Sequence, residues 1–225
     1  SLSAKEIAYR LALPAGTVLS LVGFAAIANS NGTVPLITHL GNELSQYLAV
    51  FRPDAAITTT SRTVYLLLPG GESESVMRLI NGALSAIQLA FKDQIRAAIS
   101  HSSTQPADLP SMRREVDDIL RVTTVNPDFP SVAKLADVHA RVLLDHVADE
   151  LIREPMLKHP GIQAMLAYDL ENKTNYADSV VAWLDAVGDI ALAAGSLFIH
   201  ANTLRYRLRR VKDLFNITLD NPDDR

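Results

Sequence analysis

The residues best suited to chemistry lie close together near the end of the chain. Five positive side chains occur within eight residues: Arg205, Arg207, Arg209, Arg210 and Lys212. The chain as a whole is acidic, with a formal net charge of −4, yet no Asp or Glu occurs between residues 201 and 212. Such a run is either a solvated helix face or an electrostatic contact for a polyanion such as a nucleic acid.

As a helix, this run would separate two kinds of side chain. At about 100° per residue, four apolar residues fall on one narrow stripe that we expect to face a core: Leu204, Leu208, Val211 and Phe215. The other side carries groups that suit a DNA groove: Asn202, Thr203, Arg205, Tyr206, Arg209 and Arg210. Guanidinium groups match guanine or phosphate, and an amide matches adenine. This separation favours DNA binding over a solvated face.

The basic run belongs to the last of three predicted helices. Asp178 or Ser179 is the expected cap of the first helix, and Asp189 is the expected cap of the second. The third helix is predicted over Ala201–Phe215 and ends at Asn216, because Asn tolerates left-handed backbone angles.

The second and third helices follow the helix-turn-helix plan. They are separated by a three-residue break at 198–200, and the third helix is the basic one. The small residues Ala193, Ala194 and Gly195 favour a close approach between helices. Backbone N–H groups of residues 201–203, at the start of the third helix, are a predicted contact for a DNA phosphate.

From residue 17 to about residue 138, strand-like and helix-like segments alternate. Their order is β-α-β-β-α-β-α-β, with the last strand expected at 132–138. This order predicts an α+β fold, in which one sheet packs against helices. Strand signals stop after residue 140, so the rest of the chain is predicted to be helical.

Residues 200–210 resemble a family signature. They match the His-x-Asn-Thr-Leu-Arg-Tyr-Arg-Leu-Arg-Arg run of PucR-type, CdaR-like bacterial transcriptional regulators, and the helix-turn-helix also resembles the factor for inversion stimulation. The sequence departs from the usual pattern at Phe198 and Asn216, where Gly is common. The resemblance implies DNA-binding roles for one set of residues: His200, Asn202, Thr203, Arg205, Tyr206, Arg209 and Arg210. Within it, the candidate base readers are Asn202, Arg205, Tyr206 and Arg209. Phosphate-binding or structural roles are expected for His200, Thr203, Arg207 and Arg210.

The same family usually carries an upstream relative of the diguanylate cyclase domain. The resemblance therefore implies three segments: a degenerate GGDEF-like domain with a ferredoxin-like βαββαβ sheet at 1–140, a helical connector at 141–159, and an all-α, PucR-type helix-turn-helix domain at 160–225. A working cyclase would carry a Gly-Gly-Asp/Glu-Glu-Phe motif on its central hairpin. The corresponding residues, 60–64, read Thr-Ser-Arg-Thr-Val and contain no carboxylate. The resemblance thus implies no enzymatic activity, no catalytic residue, no cofactor and no metal site.

The implied partners are double-stranded DNA, a second copy in a homodimer or higher homo-oligomer, and a small-molecule effector. No membrane contact is expected, and the absence of cysteine fits a cytoplasmic protein. Many family members carry a further N-terminal sensory domain, and the absence of an initial Met predicts that this sequence is a fragment. Two alternatives stay open: a nucleotide-cyclase-like enzyme or nucleotide-binding domain, and a protein-interaction module that uses the basic helix.

Overall fold

The structure, a computed structural model, describes seven stretches of the chain: residues 14, 16–27, 33–70, 73–91, 95–126, 128–219 and 221. The ends of the two predicted domains, 1–13 and 222–225, lie outside the described residues. The chain divides into two compact units, Ser1–Val147 and Ala148–Arg225, called here the N-terminal and C-terminal units. The division lies within the predicted connector, and the domain roles remain predictions.

The N-terminal unit contains the alternating segments in the predicted order. Its elements are β1 (Leu19–Ala26), α1 (Thr33–Phe51), β2 (Ala56–Thr59), β3 (Thr63–Pro69), α2 (Ser73–Phe91), β4 (Ile95–Ser103), α3 (Leu109–Thr123), β5 (Val132–Lys134) and the first part of α4 (Leu135–Arg153). The α+β prediction is therefore confirmed.

The sheet has the strand order β2-β3-β1-β4-β5. Strand β1 is antiparallel to both of its neighbours, β2 is antiparallel to β3, and β5 is parallel to β4. The first four strands with α1 and α2 form the βαββαβ arrangement of the ferredoxin-like motif. The relation to cyclase domains remains a prediction.

Helices cover both faces of this sheet. Val22 and Phe24 of β1 lie in one core with α1 and α2, whereas Leu19 and Leu21 lie in a second core with α3. Every residue of β1 except Ala25 is buried, because alternate side chains of a strand point to opposite faces. A strand covered on both sides is an almost continuous apolar run, as the sequence around β1 is.

The predicted last strand, at 132–138, is wrong in its second half. Strand β5 ends at Lys134, and α4 begins at Leu135. The carboxylate of Asp137 accepts a hydrogen bond from the backbone N–H of Lys134 over 2.8 Å. This contact stabilises the start of a helix by satisfying an N–H group that the helix leaves free. The helix thus begins before the predicted connector at 141–159.

The C-terminal unit is helical in its described part. After the end of α4 and a 3₁₀ turn (Pro155–Leu157) come α5 (Pro160–Asn172), α6 (Tyr176–Asp185), α7 (Ile190–Ser196) and α8 (Ala201–Phe215). The bounds of α8 and the left-handed Asn216, with φ 54°, are as predicted. The cap predicted for α6 at Asp178 or Ser179 is wrong, since α6 begins at Tyr176 after Asn175.

Two small cores hold α6, α7 and α8 together. One contains Met165, Tyr176, Val211, Phe215 and Ile217. The other contains Ala193, Ala194 and Leu204, with Trp183 packed against it. The predicted close approach at Gly195 is wrong, because Gly195 is exposed and an added Cβ there would have no neighbour within 4 Å.

Candidate nucleic-acid interface

Helix α8 has a buried face made of the predicted apolar stripe. Leu204 and Val211 are 0% exposed, Phe215 is buried, and Leu208 is half-buried. These side chains fix the helix to the two small cores, so its rotation about its own axis is determined. The rest of the helix surface is left for contacts with a partner.

The candidate base readers lie together on the exposed side of α8. Tyr206 is 59% exposed, and Asn202, Arg205 and Arg209 are also exposed. Thr203 is exposed beside them, while Arg210 is half-buried. The surface therefore offers guanidinium, amide, phenol and hydroxyl groups to a duplex groove, and no carboxylate lies between residues 201 and 212 to neutralise it.

Two of these side chains contact each other. Nη1 of Arg205 donates a hydrogen bond to Oδ1 of Asn202 over 2.8 Å. The residues are three apart, a spacing at which side chains are neighbours on a helix surface. Their contact therefore orients the guanidinium before any partner binds.

His200 caps the N-terminus of α8. Its Nδ1 accepts a hydrogen bond from the backbone N–H of Asn202 over 3.2 Å, and its carbonyl accepts from the N–H of Thr203 over 2.9 Å. Two of the three N–H groups predicted to bind a phosphate are therefore already paired, and that prediction is wrong for residues 202 and 203. Because Nδ1 is an acceptor, a neutral His200 ring carries its proton on Nε2.

The turn between α7 and α8 depends on a left-handed residue. Phe198 has φ 54°, which is why Gly is common at this position. Its N–H bonds to the carbonyl of Gly195, and the N–H of Ile199 bonds to the carbonyl of Ala194, a pattern known as a Schellman motif. The Phe198 side chain is 96% exposed, so it supplies no packing to offset the strain of this backbone conformation.

Arg207 lies on the inner side of α8 and contacts its own unit. Its Nη1 donates to the hydroxyl of Ser179, which is buried in α6, over 3.3 Å. Its charge also acts on the carboxylate of Asp169 in α5. Of the two roles predicted for Arg207, phosphate binding or structural, the geometry supports the structural one.

Asp169 organises the start of α6, a role that the sequence analysis missed. Its carboxylate accepts hydrogen bonds from the N–H of Tyr176 (3.0 Å), the N–H of Ala177 (2.8 Å) and the hydroxyl of Thr174 (2.5 Å). The two N–H groups belong to the first turn of α6, where a helix lacks internal acceptors. Sequence inspection looks for a cap beside the helix it serves, whereas this acceptor comes from the preceding helix.

The part of the sequence that forms α6, α7 and α8 matches a known family. Residues 176–225 match the family described as the PucR C-terminal helix-turn-helix domain. Those residues form a PucR C-terminal helix-turn-helix domain. This PucR-type domain supports a role for the chain as a DNA-binding transcriptional regulator.

One solved structure aligns with nearly the whole chain at low sequence identity. A regulator of polyketide synthase expression from Bifidobacterium adolescentis has a solved structure that is 15% identical, with 98% of this chain and 85% of that chain covered and a TM-score of 0.40. Because the TM-score is this low, the likeness defines neither the fold nor the function of this chain. None of the curated proteins matches the sequence.

The contacts of Asp169 in α5 with the start of α6 lower the pKa of its carboxyl group. Partial burial raises the pKa of Asp169, but the three hydrogen bonds and the charge of Arg207 outweigh it, so the pKa lies below its ordinary value of 3.8. A carboxyl with a lowered folded-state pKa stabilises the fold above its unfolded-state pKa, and this contribution is lost as the pH falls through the folded-state pKa.

We therefore expect Asp169→Asn to remove part of the acid dependence of stability. The variant should be less stable than wild type at pH 7, and the difference should shrink as the pH falls below about 4. Denaturant unfolding followed by fluorescence of Trp183, the single Trp of the chain, measures both effects. Asp178→Asn, at an exposed position of α6, controls for the loss of one negative charge. A constant difference between wild type and Asp169→Asn from pH 7 to pH 3 would contradict the expectation.

Residues 60–64, which are predicted to correspond to the cyclase motif, lie at the tight hairpin between β2 and β3. The hydroxyl of Thr60 accepts a hydrogen bond from the N–H of Thr63 and donates one to the carbonyl of Thr63, which closes the turn between β2 and β3.

Within the described ranges, no three His, Cys, Asp or Glu side chains are grouped so as to hold a metal ion. Among the described helices, none has the length and apolar character needed to cross a membrane.

Proposed function

We propose that the chain regulates transcription by placing α8 in the major groove of duplex DNA, as a homodimer or higher homo-oligomer. The observation that supports this best is the separation of faces on α8, where Leu204 and Val211 are fully buried and Arg205 and Arg209 are exposed. A helix fits the major groove, and Arg side chains match guanine and phosphate there. The match to the PucR-type domain supports the same proposal.

The exposed residues divide into two proposed roles. Asn202, Arg205, Tyr206 and Arg209 face outward and form the surface that meets the base edges, with Asn202 and Arg205 in the first turns of the helix. His200, Thr203 and Arg210 act on the phosphates or on the domain itself. For His200 the donor would be Nε2–H, because Nδ1 serves as the helix cap.

Pairing of two chains follows from the reach of one recognition helix. A single helix contacts few base pairs, and dimers of helix-turn-helix proteins bind two half-sites about 34–36 Å apart. We therefore propose two chains on one duplex. Control by a small-molecule effector, a cytoplasmic location and the lack of enzymatic activity remain predictions of the sequence.

Removing two guanidinium groups tests the interface. In Arg205→Ala/Arg209→Ala, we expect the affinity of the full chain for a duplex selected by the wild type to fall about a hundredfold, because each well-placed base contact contributes roughly 1–3 kcal/mol. The affinity should also depend less steeply on salt, since fewer counterions are released from the DNA. Titrations of labelled duplex at several salt concentrations measure both quantities.

A matched control removes the same charge elsewhere. Arg114→Ala/Arg141→Ala changes two exposed arginines of the N-terminal unit and should leave the affinity close to that of the wild type. If both double variants bind equally well with the same salt slope, the proposed interface is wrong. Failure of the wild type to bind duplex DNA at all would favour the alternative in which the basic helix binds a protein partner.

Light scattering measures the mass of the complex and so gives the number of chains on each duplex. One chain per duplex would overturn the proposal that two chains bind together.

A further inference from the structure

Asn202 and Arg205 are joined by a hydrogen bond on the exposed side of α8. The bond from Nη1 of Arg205 to Oδ1 of Asn202 uses one of the two lone pairs of the amide oxygen. Recognition of adenine by Asn needs that oxygen to accept from N6 while the amide nitrogen donates to N7. Because Oδ1 already accepts from Arg205, adenine N6 would have to share that oxygen, and the amide is oriented by the guanidinium before any base is present.

The same bond favours guanine recognition by Arg205. A guanidinium has five N–H donors, so one bond to Asn202 leaves donors for the two acceptors of guanine, O6 and N7. A held guanidinium has less conformational freedom to lose on binding, and this raises affinity. Since the amide is neutral, it orients Arg205 without cancelling the positive charge, as a carboxylate would.

The position of the pair on α8 points to bases rather than phosphates. Both residues are exposed and lie in the first turns of the helix, the part that contacts base edges in helix-turn-helix proteins. We infer that Arg205 reads a guanine in each half-site and that Asn202 is a positioning residue, which holds the Arg205 guanidinium in the orientation for that contact. This inference rests on the proposed DNA-binding function.

Selection from a randomised duplex library tests the inference with the full chain. The wild type should enrich duplexes with a guanine at one fixed position of each half-site. Affinities for the best duplex, and for versions with that guanine replaced, then give the discrimination for wild type, Arg205→Lys, Asn202→Ala and the double variant. Trp183 fluorescence during unfolding shows that each variant is folded.

The Arg205→Lys and Asn202→Ala variants should both discriminate less well between guanine and the other bases at the same position. Arg205→Lys keeps the charge but loses the planar fork, so discrimination should fall about tenfold to a hundredfold while the salt slope is unchanged. Asn202→Ala should lower the discrimination for guanine at this position about tenfold, because one charge-assisted hydrogen bond to Arg205 is lost. In the Arg205→Lys background, Asn202→Ala should have no further effect, because the residue it positions is gone.

Three results would overturn the inference. In the first, Asn202→Ala removes a preference for adenine and leaves the guanine preference intact, which would make Asn202 an independent reader. In the second, Arg205→Lys retains the full guanine preference. In both cases the wild type still binds DNA in a salt-dependent way, so the proposed function stands. In the third, the wild type enriches no duplex, and the proposed function fails together with the inference.

Discussion

Replacing Gly161 by Ala is expected to lower the free energy of unfolding of the C-terminal unit by about 2–3 kcal/mol. Gly161 is buried in the first turn of α5, against the end of α8. A Cβ at this position would lie 2.3 Å from the carbonyl oxygen of Phe215 and 3.0 Å from Cγ1 of Ile217. Because the nearest atom belongs to the backbone, relief requires a shift of one whole helix end rather than of a flexible side chain.

The same substitution at Gly195 is the matched control for Gly161→Ala. An added Cβ at Gly195 meets no heavy atom within 4 Å, and the residue lies within α7. Ala is the better helix former, so Gly195→Ala should stabilise the unit by about 0.5–1 kcal/mol. Denaturant unfolding followed by Trp183 fluorescence compares the two variants. Equal changes in stability for both would show that the contact between α5 and the end of α8 does not constrain the fold.

Leu204→Ala is expected to destabilise the C-terminal unit by about 2–5 kcal/mol. Leu204 is fully buried among Ala193 and Ala194 of α7, so truncation leaves a cavity between the two helices of the helix-turn-helix. The side chains of Ala193 and Ala194 are too short to fill that space. Trp183 packs against the same core, which makes its fluorescence a local report of the loss.

An exposed leucine on the neighbouring helix separates this effect from a general loss of apolar surface. Leu192 of α7 is 66% exposed, and Leu192→Ala should change the free energy of unfolding by no more than about 0.5 kcal/mol. Unfolding curves of the two variants, recorded together, give the comparison. If Leu204→Ala is no less stable than Leu192→Ala, the assignment of the α8 core stripe is wrong.

Much of the fold was predictable because its signals are local. The bounds of α8 follow from its apolar spacing and from Asn216, and the order of the sheet segments follows from their alternation. One error comes from a missed local capping signal, and the other comes from a contact between two helices. Strand β5 gives way to α4 after Lys134 because Asp137 caps the helix, and α6 begins at Tyr176 because Asp169 supplies acceptors from another helix.

The sequence by itself determined which side chains α8 can present, since residue types and the helical period place Leu204 and Arg209 on different sides. Only the tertiary structure decided how those side chains are used. It turned Arg207 towards Ser179, paired Arg205 with Asn202, and gave His200 the role of a cap. The physical reason is that periodicity fixes direction around a helix axis, whereas hydrogen-bond partners depend on rotamers and on neighbouring helices that the order of residues does not specify.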